Sequence, residues 1–323
     1  MKAIAYDKYG SFHVLALRDI DKPALKENEV LVRVRAVSLQ IGDCFGVRGA
    51  PYMVRMYTGL LKPKYGVPGY DFAGQVEAIG NGATQFKPGD EVFGSSQAAC
   101  AEYAVAREDQ LAPKAVNVSF EEAAAIPTAA LTALRGLRDV GRVQAGQNVL
   151  INGASGGVGH FAVQIAKALG AEVTGVCSTK NVEMVRSIGA DHVIDYTKED
   201  FTEGDELYDL ILDNVENRSL SDVRRALTLN GTLVLNSGTG ARGMGMLVRL
   251  VKPLVLSPFV RQSLRRYLVK PNHEDLVLLK EMAESGKLRP VIDKTYPLRE
   301  TAAALAHIEG GHAAGKVVVT IDG

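Results

Sequence analysis

The residues in this chain whose types and spacing could do chemistry begin with Asn152 to Gly159, NGASGGVG. They follow a short apolar run, Val149–Ile151, and open into a stripe of Val158, Phe161, Ala162, Ile165 and Leu169 at about one apolar position per helical turn. A strand, a glycine-rich turn and a helix start together predict a phosphate-binding loop. Glycines let the backbone approach a pyrophosphate, and the new helix offers unpaired N–H groups and the positive end of its dipole. Ala154 stands where the first glycine of GxGxxG would be, and the bland alternative is an ordinary glycine-rich connection. Which dinucleotide fits is read from the end of the following strand, Cys177-Ser178-Thr179-Lys180-Asn181. An acid there binds the ribose 2′-hydroxyl of NAD, whereas hydroxyl and basic groups accommodate the 2′-phosphate of NADP. The first acid, Glu183, falls inside the next helix, while Ser178 can donate a hydrogen bond and Lys180 a charge-assisted one. NADPH is therefore the expected cofactor; the alternative for Lys180 is a solvated lysine at a helix start.

The elements that must position these groups fall into two kinds. Residues 1 to about 120 are β-rich: Glu29–Val37 largely alternates apolar and polar, as does Gly74–Ile79, with a turn at Lys87-Pro88-Gly89-Asp90. Short strands with glycine-rich turns predict a small barrel. Glu121–Val140 then reads as helical, with Pro127 marking a break or a helix start. Beyond it, strands expected at Val149–Ile151, Glu172–Cys177, His192–Ile194, Leu210–Asp213 and Thr232–Asn236 alternate with helices at Gly157–Leu169, Val182–Ile188 and Leu220–Leu227. That alternation predicts parallel strands with crossover helices, hence an α/β protein with a doubly wound parallel sheet. Asn272 reads as a helix cap, Gly286 as a stop, and the strand-like tail Lys316–Ile321 as a return to the first domain.

Composition bounds the function. A chain of 323 residues suits two domains, and 37 basic against 37 acidic residues leave no bulk polycation for nucleic acid. Cys44, Cys100 and Cys177 are too few and scattered for a disulfide framework or a four-cysteine zinc site, and suit small core positions in a reducing compartment. The start, Met1–Tyr6, is strand-like with no signal pattern, and no run of about twenty apolar residues predicts a membrane span. A cytoplasmic protein is the expectation. None of the six histidines has ligand spacing, and His160 and His312 are expected at the surface.

Five segments in this order resemble the medium-chain dehydrogenase/reductase superfamily, and within it the zinc-independent quinone oxidoreductase branch. They are Val67-Pro-Gly-Tyr-Asp-Phe-Ala-Gly74, Lys87–Gly94, Asn152–Gly159, Gly189–Tyr196 and Gly311–Val317. The resemblance implies a GroES-like β-barrel catalytic domain (1–122 with 293–323), a Rossmann cofactor domain (123–292) and a homodimer. Zinc-dependent members hold the metal through a cysteine, a Gly-His-Glu histidine and a third cysteine or acid. Here Gln40 stands near the first position, Tyr70-Asp71 replaces His-Glu, and small residues surround Thr128, so no metal is expected. Without zinc to polarise a ketone, a quinone or α,β-unsaturated carbonyl is the expected hydride acceptor, its charge delocalising onto oxygen.

By position, the resemblance implies that Ser155, Gly156, Gly157 and Val158 lie against the pyrophosphate and that Ser178, Lys180 and Tyr196 meet the 2′-phosphate. Thr132 is implied at the nicotinamide carboxamide; Asn214, Val215 and Ser237 along the ribose and nicotinamide; and Lys316 from the tail motif. Gln40 and Asp43 occupy an Asn-Pro-x-Asp position written here Gln-Ile-Gly-Asp, and Tyr70 is a candidate donor to the substrate oxygen. Tyr196 and Ser237 also read as ordinary strand-end residues, and Tyr70 as a packed tyrosine at a domain edge.

Residues 241–270 break the alternation with seven basic residues and no acid among leucines, valines and methionines. One reading has 242–270 covering the cleft and joining a dimer contact, with Phe259 and Tyr267 as apolar walls. Another places it at a membrane surface, and a third makes it an insertion that solvates its own charges. The leading functional expectation is an NADPH-dependent quinone or enone reductase. The alternatives are a non-catalytic NADPH-binding sensor or scaffold and an enoyl thioester reductase.

Overall fold

A computed structural model describes residues 1–236, 256–257, 260–311 and 313–321, and the chain divides into two compact units. The first comprises residues 1–131, 270–286 and 290–323; the second, 132–269 and 287–289.

In the first unit β1 (Lys2–Ala5) and β2 (Ala16–Asp19) form a hairpin sheet. β3 (Glu29–Leu39), β4 (Asp71–Ile79), β5 (Glu91–Ser95), β6 (Tyr103–Arg107) and β7 (Leu111–Pro113) build the main sheet with two late strands described below. β3 is its spine, pairing antiparallel with β4, with β6 and with the tail strand. Its valines at 30, 32, 34 and 37 are buried and pack with Phe72, Val92 and Leu111 in one apolar cluster. The alternation of period 2 puts Val30, Val32 and Val34 on the inside while Arg33 and Arg35 stay half-buried, and beyond a register shift between Val34 and Ala36 the off-phase Val37 is buried as well. The helix Ile41–Arg48 follows β3 at once, starting where Asp43 accepts the Gln40 N–H.

The second unit contains β8 (Asn148–Asn152), β9 (Glu172–Cys177), β10 (His192–Asp195), β11 (Tyr208–Asp213), β12 (Leu227–Leu235) and β13 (Ser263–Arg266). They lie in the order β10-β9-β8-β11-β12-β13 with every pairing parallel. Counted from the first strand this is 3-2-1-4-5-6, the doubly wound order, whose direction reverses between β8 and β11. Such sheets carry their ligands at that crevice, beyond the carboxyl ends of the strands. The helix Gly159–Ala168 follows β8, and its residues from Gly159 to Ala166 are all buried.

The chain then closes the first unit. The helix His273–Glu284 is capped by the Asn272 side chain accepting the Asp275 N–H, a bond whose loss costs about 1 kcal/mol. His273 Nδ1 lies 2.7 Å from the Leu111 carbonyl and Asn117 donates to the Ala283 carbonyl, which ties this helix to the β7 region. β14 (Ile292–Pro297) pairs with β15 (Lys316–Thr320), and β15 pairs with β3, so the tail returns to the first sheet.

Several local expectations change. The glycine-rich turn runs to Val158, so its helix begins at Gly159 rather than Gly157. β12 starts at Leu227, since Gly231 and a register shift against β11 let it bend where a regular strand would stop. The 121–140 stretch does break at Pro127, into helices Phe120–Ala125 and Pro127–Arg135, and it ends in a wider π turn at Gly136–Gly141. Part of 241–270 continues the α/β rhythm: Ser263–Arg266 is the sixth parallel strand, with Leu264 buried. His160, expected at the surface, is fully buried, because its ring stacks 3.9 Å from Phe161 and Nδ1 reaches the Gly156 carbonyl at 2.9 Å. His312, Ser237, Phe259 and most of 242–270 lie outside the described residues.

Candidate functional site

The glycine turn of the second unit is held from below by the neighbouring strand. The N–H groups of Gly153 and Ala154 both donate to the Val176 carbonyl, and Gly156 N–H closes a turn onto the Gly153 carbonyl at 3.0 Å. Gly153 sits at φ +78°, where only glycine is unstrained. A Cβ on Gly159 would stand 2.0 Å from the Gly153 carbonyl oxygen and 2.8 Å from the Ala154 Cα. That position needs glycine so that the helix can pack on the strand, while Ala154 takes the first-glycine position as a buried methyl. At Gly156 a Cβ would meet only the Gly153 carbonyl oxygen, at 3.3 Å. This second glycine leaves an open side, the cradle a pyrophosphate would use.

Around the turn the strand ends converge. Val215 follows β11 so closely that its Cγ2 lies 2.7 Å from where a Gly153 Cβ would be. Asp213 accepts from Asn152 Nδ2 (2.7 Å) and from the N–H groups of Val215 and Glu216. Asn214 donates to the Asn152 carbonyl and accepts from Asn236, so the edges of β8, β11 and β12 are stitched by amides. Glu216, at φ +55° and nearly buried, forms a two-bonded ion pair with Arg266 of β13.

The other side of the turn faces β9. Asn181 Nδ2 bonds Ser155 Oγ at 2.9 Å and Ser178 Oγ at 3.4 Å, tying the glycine turn to the end of the second strand. Lys180 is exposed beside it, and Tyr196 is half exposed at the end of β10. Asp195 reaches across from β10 to the Thr179 hydroxyl at 2.6 Å and also binds Thr197 and Lys198. The Thr179 hydroxyl, first among these partners, holds its carboxyl below the usual range, so it is an anion. Sequence reading missed both Asn181 and Asp195. Asn181 was read only as the residue closing the strand end, and Asp195 belongs to a different strand from the one inspected for an acid. Thr132 is buried, and its carbonyl accepts the Tyr267 hydroxyl at 2.7 Å, so Tyr267 is an anchor within this unit.

The first unit holds a second constellation. Asp43 accepts the N–H groups of Gln40 and Gly69, so it pins the start of the helix Ile41–Arg48 to the Pro68-Gly69-Tyr70 turn. Gly69 is at φ +92°, and a Cβ there would be 2.7 Å from Cys100 Sγ. Asp71, fully buried in β4, accepts from Ser95 Oγ (2.8 Å), Thr128 Oγ1 (2.6 Å) and Thr128 N–H (3.1 Å). Thr128 is in the first turn of the helix Pro127–Arg135, whose dipole favours a carboxylate. Lys316 is nearly buried and feels both acids. Burial pushes the Asp43 carboxyl up to about 7, helped by repulsion from Asp71 and opposed by its two N–H donors and Lys316. Burial raises Asp71 and lowers Lys316 in the same way. Tyr70 is half-buried and raised to about 12, first by burial and then by Asp71, so its phenol stays protonated as a donor at neutral pH.

The implied residues thus form two groups. Ser155, Gly156, Gly157, Val158, Ser178, Lys180, Tyr196, Asn214 and Val215 stand along the carboxyl edge of the parallel sheet, with Thr132 also in that unit. Gln40, Asp43, Tyr70 and Lys316 belong to the first unit. Ser95 and Thr128 were missed as partners of Asp71; the legible signal was Pro127-Thr128, a helix start that offers unpaired N–H groups to an acid. Zinc asks for four ligands in tetrahedral reach. Among the described residues no three His, Cys, Asp or Glu gather, and the Asp71 carboxylate is engaged by three donors. This donor set does not fit the metal.

The second unit's parallel sheet has dinucleotide-binding order, and the first unit's sheet is antiparallel except where β14 pairs with β15. Residues 26–136 match the alcohol dehydrogenase GroES-like domain, and residues 188–319 match the zinc-binding dehydrogenase family. The 2-methylene-furan-3-one reductase of Solanum lycopersicum is 33% identical over 99% of this chain and 79% of its own length. The chloroplastic NADPH-dependent alkenal/one oxidoreductase of Arabidopsis thaliana is 34% identical over the same shares. The structure of the quinone oxidoreductase from Coxiella burnetii matches with TM-score 0.87 and 31% identity, covering 100% of this chain and 99% of that one. The chain belongs to the medium-chain dehydrogenase/reductase superfamily, among its quinone oxidoreductases and enone reductases.

Proposed function

We propose that this oxidoreductase uses NADPH to reduce quinones or α,β-unsaturated carbonyls without a metal. The observation that carries the cofactor half is the junction of Ser155, Asn181 and Ser178, with Lys180 beside it. It links a turn suited to pyrophosphate with a hydroxyl and a cation suited to a 2′-phosphate. Asp195 does not reverse this reading, since its charge is engaged by Thr179, Thr197 and Lys198. When bound, the dinucleotide supplies hydride. The chain's own residues orient the acceptor and support the charge on its oxygen. Tyr70 is the proposed hydrogen-bond donor to that oxygen, and Gln40 a second one. Asp43 is a positioning residue, holding the Gln40 and Gly69 backbones together. The activated acceptor class is supported by the lack of a zinc-compatible donor set among the described residues and by the named activities of the relatives in tomato and Arabidopsis.

The test is a cofactor-oxidation screen pairing NADPH and NADH with quinones, enones, enals and simple ketones, each with and without EDTA. NADPH oxidation by quinones or enones, unchanged by chelator, is expected. A preference for NADH would remove the Ser178–Lys180 reading, and EDTA-sensitive ketone reduction would remove the metal-free one. Dinucleotide binding with no oxidation across the panel would favour the sensor reading.

A further inference from the structure

The run Tyr52–Tyr65 in the first unit exposes an unusual amount of apolar surface. Tyr52 (78%), Tyr57 (82%) and Leu61 (94%) are largely open to solvent, as are Met53, Met56 and Leu60. A contiguous exposed apolar patch marks a contact surface. The backbone beneath it is fixed. The Tyr9 hydroxyl bonds the Gly59 carbonyl at 2.5 Å and Thr58 Oγ1 at 2.9 Å, and Lys64 N–H closes the turn onto the Thr58 carbonyl at 2.6 Å. Gly59 sits at φ +119°, and a Cβ there would lie 2.2 Å from the Lys62 carbonyl oxygen. Arg55 is stacked 4.6 Å from the rings of both Tyr9 and Tyr52 and donates to the Gly49 carbonyl. A turn built this tightly holds Leu60 and Leu61 outward.

The charge within this stretch of sequence has one sign. Between Asp43 and Asp71 the sequence holds Arg48, Arg55, Lys62 and Lys64 and no acid. Arg48 is paired with Glu309, which leaves Arg55, Lys62 and Lys64 with the patch. We propose that this turn docks the protein on a lipid bilayer carrying anionic headgroups. Leucine and methionine side chains would enter the acyl boundary. Tyrosines and lysines have apolar bodies and polar tips, which suits the headgroup level. The contact is peripheral: among the described residues no helix is long and apolar enough to cross a membrane. With a net charge of zero the chain as a whole has no pull toward anionic lipid, so selectivity must come from a local cluster. The proposal does not depend on the hydride-transfer reading.

Co-sedimentation of the purified full chain with vesicles tests it, using phosphatidylcholine alone or mixed with phosphatidylglycerol. The wild-type protein sediments with the mixed vesicles, less so as salt rises, and poorly with phosphatidylcholine alone. L60E/L61E lowers the bound fraction at fixed lipid by about tenfold, and K62E/K64E lowers it in the mixed vesicles only. Thermal melting of both variants close to wild type checks that they fold, and either variant alone suffices if the other does not. Three results overturn the proposal. One is no wild-type sedimentation, and another is undiminished sedimentation of the folded variants, which would move the contact to the basic 242–270 segment. The third is a dimer in light scattering that L60E/L61E converts to monomer, which would assign the face to a second copy.

Discussion

Gly156 and Gly159 are three residues apart in one turn, yet the structure gives them separable tasks, and two alanine substitutions divide them. In Gly159→Ala the new Cβ stands 2.0 Å from the Gly153 carbonyl oxygen and 2.8 Å from the Ala154 Cα. Ordinary contact begins at about 3.4 Å, so helix and turn must part by roughly 1.4 Å. Both obstacles are backbone and cannot rotate away. Overpacking of this kind costs about 1–3 kcal/mol, and two backbone collisions put G159A near 3. For a domain of this size that lowers the melting midpoint by about 6–12 °C. In Gly156→Ala the Cβ meets only one atom, the Gly153 carbonyl oxygen at 3.3 Å, which must give by a few tenths of an ångström. The reduced freedom of the unfolded chain returns about 0.4–1 kcal/mol, so the midpoint stays within about 3 °C. The methyl instead occupies the open side of the turn, and the dissociation constant for NADPH rises by about ten- to a hundredfold. Differential scanning fluorimetry and a fluorescence titration of NADPH give the two readouts. A G159A protein melting within about 2 °C of wild type refutes the packing role. A folded G156A protein with unchanged NADPH affinity refutes the cradle.

Three further outcomes follow from the side-chain geometry. Asp43→Asn tests the half-buried carboxyl: its folded value of about 7 exceeds the unfolded 3.8, so the stability it contributes is present at acid pH and lost as pH rises between these values. The wild type therefore loses melting temperature relative to D43N from pH 4.5 to 7.5, and parallel profiles would contradict the enclosed carboxyl. Lys180→Ala weakens NADPH about tenfold and leaves NADH within about twofold, in steady-state KM measured with a fixed quinone; equal losses for both cofactors would remove Lys180 from the 2′-phosphate. Glu216→Ala removes a two-bonded partner of Arg266, whose side chain is only 16% exposed, and costs about 3 kcal/mol in urea unfolding; a loss under about 1 kcal/mol would show that this ion pair adds little to stability.

Much of this architecture was legible because its signals are local. The strand at Glu172–Cys177 ran as expected from its apolar run, and Pro127 and Asn272 marked helix starts by their backbone chemistry. The glycine turn was legible because its reasons lie within eight residues of chain. What escaped depends on partners far apart in sequence. Ser95 and Thr128 meet Asp71 across 24 and 57 residues, and no periodicity announces such a meeting. Asn181 reaches Ser155 only because β8 and β9 are neighbours. The strand Ser263–Arg266 was hidden because Arg265 and Arg266 made it read as a basic insertion. In the sheet Arg265 donates to the Val140 carbonyl and Arg266 pairs with Glu216. His160 was misjudged because a polar residue at a helix start usually faces water, whereas here the Gly156 carbonyl gives its ring a partner inside.

Deuterium tracing tests the proposed chemistry most directly. The protein is incubated with an enone and NADPH carrying deuterium at both C4 positions of the nicotinamide, and the product is examined by mass spectrometry and NMR. One deuterium on the carbon β to the carbonyl, with a proton from solvent at the α carbon, is the predicted result. NADPH that binds yet is oxidised by no quinone and passes no label to any enone, or label reaching only the carbonyl carbon of simple ketones, would contradict it.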